Sequence, residues 1–257
     1  MTVLLALEGV TKRFGGLMAL KDINFTISEG EIIGLIGPNG AGKTTCFNVI
    51  SGTLPPSDGK ISFCGKTIVG LRSNRIIRMG LSRTYQATSV FPKSTVLENV
   101  VRGAFSRSED TFLGSMLGTR ASKAAQARER DRCMAILEQV GIQHVYNDLA
   151  GELPYGYQRR LGVAIALAGS PKVIMMDEPA AGLNPEESKA MGQLIREIHS
   201  SGNVSVLIVE HDMKLVMGIC HRIIVLDHGE QIAAGTPEEV RNNPHVIEAY
   251  LGTEVVG

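Results

Sequence analysis

A short apolar run, EIIGLI, passes without a break into GPNGAGKTTCFNVISG, so that residues 31–52 read as strand, glycine-rich turn and helix closed by Gly52. The apolar run is typical of a strand buried on both faces. In the turn, Gly37, Gly42, Lys43 and Thr44 match the pattern G-x-x-x-x-G-K-[S/T]. Glycines at these places let successive backbone N–H groups converge on phosphate oxygens, and the following helix points its positive end at the same spot. Pro38, Asn39, Gly40, Ala41 and Thr45 complete the expected cradle. Lys43 is expected to reach the β- and γ-phosphates and Thr44 to hold Mg²⁺. The strand before the loop and the helix after it are the context that separates such a site from a structural glycine turn.

The rest of the chain has room for this. Its 257 residues can bury one large α/β core or two small ones. In the N-terminal third, LLALEGVTKRF, KDINFTI and GKISFCGKTI alternate apolar and polar residues, as half-exposed antiparallel strands do. From about residue 88 helical spacing takes over in STVLENVVRGAF and AAQARERDRCMAILEQVGI, separated by a polar stretch at 106–122. Buried-strand patterns return in KVIMMD, VSVLIVE and RIIVLDHG, DHGEQIAAG reads as a hairpin, and Thr236-Pro237 starts a short helical tail. The expected organisation is a single domain over 1–257. Residues 1–87 and 162–235 form the core with its antiparallel β part, 88–161 a helical subdomain, and 236–257 the tail.

Composition narrows the function. Twenty-six basic and 26 acidic residues balance to a net charge of zero, which argues against a dedicated nucleic-acid binder. The N-terminus lacks the basic and apolar regions of a signal peptide, and no apolar run approaches the ~18 residues needed to span a bilayer. The expected location is the cytosol, unless a partner holds the chain to a membrane. Cys46, Cys64, Cys133 and Cys220 are far apart and read as small hydrophobes in a reducing compartment.

VIMMDEP (173–179) is an apolar strand ending in an acidic pair. It puts Asp177 at the carboxyl edge of the sheet, where α/β proteins bind ligands, able to hold Mg²⁺ through water. Glu178 is placed to polarise an attacking water. By itself such a pair reads equally as solvated acids; beside a phosphate loop the functional reading prevails. LIVEHDM (207–213) ends a strand expected beside those of the loop and Asp177, so His211 could reach a γ-phosphate, whereas the other five histidines read as structural. Gln86, at the junction of sheet and helical segment, could sense Mg²⁺ or attacking water. Phe14, before a Gly pair, reads either as a nucleobase-stacking aromatic or as a strand-end core residue.

In this order the residues resemble the nucleotide-binding subunits of ABC transporters. Phe14 fits the adenine-stacking A-loop, 37–45 the Walker A motif, Gln86 the Q-loop (touching Mg²⁺ and water), and 173–178 Walker B with its catalytic Glu. AAGLNP (180–185) fits the D-loop and His211 the switch histidine. The resemblance implies an α/β P-loop (RecA-like) core with a mixed sheet, an N-terminal antiparallel β subdomain and an inserted α-helical subdomain. It implies ATP and Mg²⁺ as cofactors, a second ATPase subunit in an ATP-dependent homo- or heterodimer, and two polytopic permease subunits. A solute-binding protein would act indirectly, no nucleic acid is involved, and the subunit would sit on the inner face of the cell membrane.

LPYGYQRRL (153–161) then stands where that family carries LSGGQ, the signature loop that caps ATP bound by the opposite subunit. Pro154 replaces a serine and removes both a hydroxyl and a backbone donor. Tyr155 replaces a glycine; Gly156 remains, and so does the helix N-terminus behind it. One lost charge-assisted hydrogen bond is worth roughly 1.5–3 kcal/mol, so the loop reads as a weakened variant. With Asn184 in the D-loop and the tail GTPEEVRNNPHVIEAYLG, it looks most like the LivG-type ATPases of branched-chain amino-acid importers. Urea or amide importers, a non-transport ABC ATPase and a P-loop kinase are the alternatives; the kinase accounts for the Walker motifs but not for signature, D-loop and switch together.

Overall fold

The computed structural model describes residues 2–84, 90–105, 120–202 and 204–254. The alternating N-terminal segments become a long antiparallel hairpin, β1 (Val3–Phe14) and β2 (Leu17–Ser28). The chain then runs through β3 (Ile32–Ile36) and helix α1 (Lys43–Ile50) and returns to the hairpin as β4 (Asp58–Phe63) and β5 (Lys66–Thr67). The resulting antiparallel sheet has the order β2-β1-β4-β5. A short helix, α2 (Ser73–Arg78), leads to β6 (Leu81–Thr84).

The middle of the chain is helical: α3 (Val96–Phe105), α4 (Arg120–Gln139) and α5 (Tyr155–Ala168). Thr95 starts α3 with a reciprocal cap, its hydroxyl accepting from Glu98 N and its own N–H donating to the Glu98 carboxylate. Helix α5 runs continuously through residue 161, where the sequence reading ends the helical segment. The core resumes with β7 (Val173–Asp177), α6 (Pro185–Gly202), β8 (Ser205–Val209), α7 (Met213–Ile219) and β9 (Arg222–Asp227). It closes with the antiparallel strand β10 (Glu230–Gly235), and α8 (Pro237–Arg241) and α9 (Pro244–Glu254) form the tail. Thr236 and Glu239 cap α8 reciprocally, with Pro237 in its first turn.

The second sheet has the order β10-β9-β3-β8-β7-β6, parallel except for β10. Its central strands carry apolar side chains on both faces because each face meets a different core. Ile33, Leu35, Val173, Met175, Leu207 and Val209 face α1 and the antiparallel sheet. Ile32, Ile36, Ile174, Met176, Val206 and Ile208 face the helical layer. Each such side chain contributes about 1.5–3 kcal/mol on burial, which holds the carboxyl ends of β3, β7 and β8 in fixed register.

Candidate functional site

At the end of β3 the backbone turns through Gly37 (φ 151°), where a Cβ would overlap the Leu226 carbonyl. Gly42 (φ 100°) lies against β2, and a Cβ there would come 2.7 Å from the Ala19 carbonyl oxygen. Both places demand glycine. Gly42 is also the N-cap of α1, which has no side-chain cap and no acidic residue in its first turn. The positive end of the helix is therefore open toward the exposed residues Asn39, Gly40 and Thr44. Pro38 and Ala41 are buried beneath the loop and Thr45 is half-buried. Lys43 is only 6% exposed, and its Nζ donates to the carbonyls of Gly37 and Pro38 at 2.7 Å each. Burial pushes its pKa down, partly offset by the charge of Glu178. The C-terminal tail reaches this loop too, because the Gly37 backbone hydrogen-bonds the Tyr250 hydroxyl.

Strand β8 lies between β3 and β7, and this gathers the acidic pair and the histidine beside the loop. Glu178 follows β7 with a left-handed backbone (φ 49°), and its N–H donates to the Val209 carbonyl at 2.9 Å. A non-glycine residue in that region stores on the order of 1–3 kcal/mol of strain, characteristic of functional turns. His211 Nε2 lies 2.9 Å from Glu178 Oε1, with both side chains partly open to solvent. Two residues that the sequence reading passed over hold this arrangement. Glu210, only 3% exposed, accepts from Ala180 N at 2.6 Å and from His211 N at 3.2 Å, so one carboxylate fixes both flanking turns. Burial raises its pKa, against the backbone hydrogen bonds it accepts. Asp212 caps α7 by accepting from Lys214 N and Leu215 N, and Ser188 Oγ donates to its other oxygen.

Asp177 is not a free carboxylate: Arg83 Nη2 donates to its Oδ2 at 2.6 Å. Arg83 was also passed over, and a charged residue in a strand with buried neighbours was the available signal. Phe14 is 45% exposed at the tip of the β1–β2 hairpin, with Lys12 Nζ 5.0 Å from its ring centroid. Exposure favours the stacking reading of Phe14 over the core reading. Gln86 lies outside the described residues.

The signature-like segment differs from its sequence reading in one respect. Helix α5 begins at Tyr155 with Pro154 as N-cap, so Gly156 lies within the first helical turn instead of preceding the helix. The Pro154 carbonyl accepts the first regular helical bond, from Gln158 N, and also accepts from the otherwise orphaned Tyr157 N. The Tyr155 ring rests on Gly182, and the Arg159 guanidinium covers the ring at 4.9 Å, bonds the phenol oxygen and reaches the Ala181 carbonyl at 3.3 Å. Asn184 caps α6, its Oδ1 accepting from Glu186 N and Glu187 N at 3.0 Å each.

These residues fit a nucleoside triphosphate. The open, uncapped helix start and the glycine turn offer backbone donors to phosphates, and Thr44 presents an exposed hydroxyl. Among the described residues no group of three or more His, Cys, Asp or Glu could hold a metal ion. The exposed Thr44 hydroxyl and the Asp177 carboxylate are oxygen donors of the kind Mg²⁺ takes, one or two from the protein together with phosphates and waters. Among the described residues no helix is long and apolar enough to cross a membrane.

The ABC transporter family pattern matches residues 20–181, and that of the branched-chain amino acid ATP-binding cassette transporter matches residues 230–256. The chain is 45% identical to the high-affinity branched-chain amino acid transport ATP-binding protein LivG of Salmonella typhimurium, over 97% of this chain and 98% of that protein. It is 37% identical to a probable LivG of Archaeoglobus fulgidus, over 98% of this chain and 96% of that one. Among solved structures, an ATP-binding cassette of an ABC transporter in its ADP conformation superposes with a TM-score of 0.84 at 29% identity, covering 98% of this chain and 100% of that one. A dimeric cassette bound to ADP and Pi in a post-hydrolysis state gives 0.74 at 25% identity, covering 91% of this chain and 98% of that one.

Proposed function

This chain belongs to the ABC transporter family of ATP-binding cassettes, and we propose that it binds and hydrolyses ATP to drive a branched-chain amino-acid importer. The observation that carries the reading is the convergence of four groups beside one phosphate loop. Lys43, Asp177, Glu178 and His211 meet at the carboxyl ends of β3, β7 and β8, next to an uncapped helix start. Bound Mg²⁺ supplies charge neutralisation at the phosphates. Lys43 exchanges its two carbonyl partners for phosphate oxygens, while Asp177 and Thr44 would hold the metal. Glu178 orients a water for attack, and His211 orients Glu178 through their hydrogen bond. Phe14 stacks on the base, and Gly156 with the start of α5 faces nucleotide held by a second subunit. Gln86 joins the metal and water side by resemblance.

The match of the tail over 230–256 favours branched-chain amino acids over urea or amides. The likeness to a dimeric cassette supports ATP-dependent pairing with a second cassette. Peripheral attachment at the cytoplasmic face, through two permease subunits, follows from the transport role. ATP binding shifts the pair toward its closed form by differential affinity, and hydrolysis releases it. The test is reconstitution of the chain with two permease subunits and a second ATPase subunit of such an importer. ATP turnover should rise when leucine-loaded binding protein is added, and a response to urea instead would overturn the solute assignment.

A further inference from the structure

We propose that Arg83 is the positioning residue for Asp177, holding its carboxylate in one orientation and tying it to the phosphate-loop helix. The proposal rests on the reading of Asp177 as the metal-side carboxylate. Arg83 stands opposite Met175 in the parallel pairing of β6 with β7, and Met175 faces the core that contains α1. From there the side chain reaches two residues along β7 to Asp177, with Nη2 to Oδ2 at 2.6 Å. Nη1 donates to Asn48 Oδ1 on α1 at 2.7 Å, and the guanidinium lies 5.6 Å from the Phe47 ring centroid. One planar group thus joins the strand carrying the carboxylate to the helix that begins at Lys43.

The pair is largely buried, with side-chain exposures of 13% for Arg83 and 11% for Asp177. Arg83 Nε is buried without a partner among the described residues. The position of the fork is set by Asp177 and Asn48. A carboxylate oxygen carries more than one lone pair, so with Oδ2 engaged, Oδ1 stays available to a metal-bound water. The guanidinium charge itself opposes a cation, so the benefit is orientation, as for the hydrogen-bond partners that fix metal-binding carboxylates. Lysine cannot reproduce it, because a single ammonium lacks the fork that spans Asp177 and Asn48.

The full-length chain and its R83M, R83K, N48A and D177N variants would be compared in three measurements: Mn²⁺ affinity of the complex with a non-hydrolysable ATP analogue, read from the free-Mn²⁺ electron paramagnetic resonance signal; affinity for the analogue in EDTA; and thermal midpoint. R83M should weaken Mn²⁺ binding about tenfold or more, with R83K in between. Analogue affinity in EDTA should stay within about twofold, because the phosphate cradle is untouched. Wild-type Mn²⁺ affinity in R83M, with D177N weakened, would leave Arg83 a purely structural residue. Unchanged affinity in D177N as well would remove Asp177 from the metal side and the proposal with it. If R83M does not fold, R83K and N48A decide: both should weaken Mn²⁺ binding, and wild-type affinity in both overturns the proposal.

Discussion

The ring of Tyr155 lies against Gly182, so close that a Cβ at Gly182 would sit 3.0 Å from Tyr155 Cε1. The first residue of α5 is thereby braced on the turn that follows Glu178 in the same chain. A tyrosine that reads in the sequence as a lost glycine has an intramolecular contact of its own, reinforced by Arg159. Gly182→Ala should destabilise the protein by more than about 1 kcal/mol, since the backbone there has φ 78° and the ring stands in the way. Tyr155→Ala should relieve the steric part of that loss. Urea denaturation of both single variants and the double variant checks this, and strictly additive effects would mean that the two residues are uncoupled.

Pro154 caps α5 with its backbone alone. Pro154→Ser adds a side-chain acceptor at the N-cap and should raise stability by about 0.5–2 kcal/mol. It should also tighten ATP-dependent dimerisation. Both are measurable, by thermal unfolding and by sedimentation with ATP. A variant that melts earlier would show that the rigid φ of proline matters more than the missing hydroxyl.

Glu178→Gln should retain ATP binding and lose hydrolysis. The amide can keep the backbone turn and a hydrogen bond to His211, but it cannot polarise water as the carboxylate does. The variant should accumulate as an ATP-stabilised dimer in size-exclusion chromatography. Turnover at the wild-type rate would take Glu178 out of the chemistry.

Phe14→Ala should weaken nucleotide affinity by about 1–3 kcal/mol, the range for base–aromatic stacking, with little change in kcat. Because the ring is 45% exposed, the thermal midpoint of the nucleotide-free protein should hardly move. Calorimetric titration with ATP tests the first part, and an earlier melt with unchanged affinity would reassign Phe14 to the core.

Glu210 predicts a pH dependence. Burial raises its pKa above the ordinary value of 4.5, so the folded chain binds that proton more tightly than the unfolded chain. Its contribution to stability is therefore most favourable below 4.5 and declines as pH rises through the folded-state value. Glu210→Gln should remove this slope, so that its stability relative to wild type improves steadily with pH across that window. Urea midpoints at a series of pH values would reveal it; parallel curves for the two proteins would contradict it.

What the sequence determined by itself is whatever depends on near neighbours. The strand–loop–helix at 31–52, the strand patterns ending at Asp177 and near His211, and the helix start at Thr236-Pro237 all follow from periodicity, glycine and proline placement and hydrogen bonds within a few residues. The places of Lys43, Asp177, Glu178 and His211, each at or beyond the end of a short apolar strand, were legible for the same reason, and the fold class came from the resemblance those motifs carry. Only the tertiary structure decided that Asp177 is held by Arg83, 94 positions earlier, that Glu210 joins the turns at Ala180 and His211, and that Tyr155 rests on Gly182. The start of α5 ahead of Gly156 belongs with these, since a proline N-cap bonding only through its carbonyl leaves no side-chain signature. Strand order and helix docking are set by the burial of two separate cores across crossovers. Periodicity along the chain records which face of a strand is apolar, but not which strand will lie beside it.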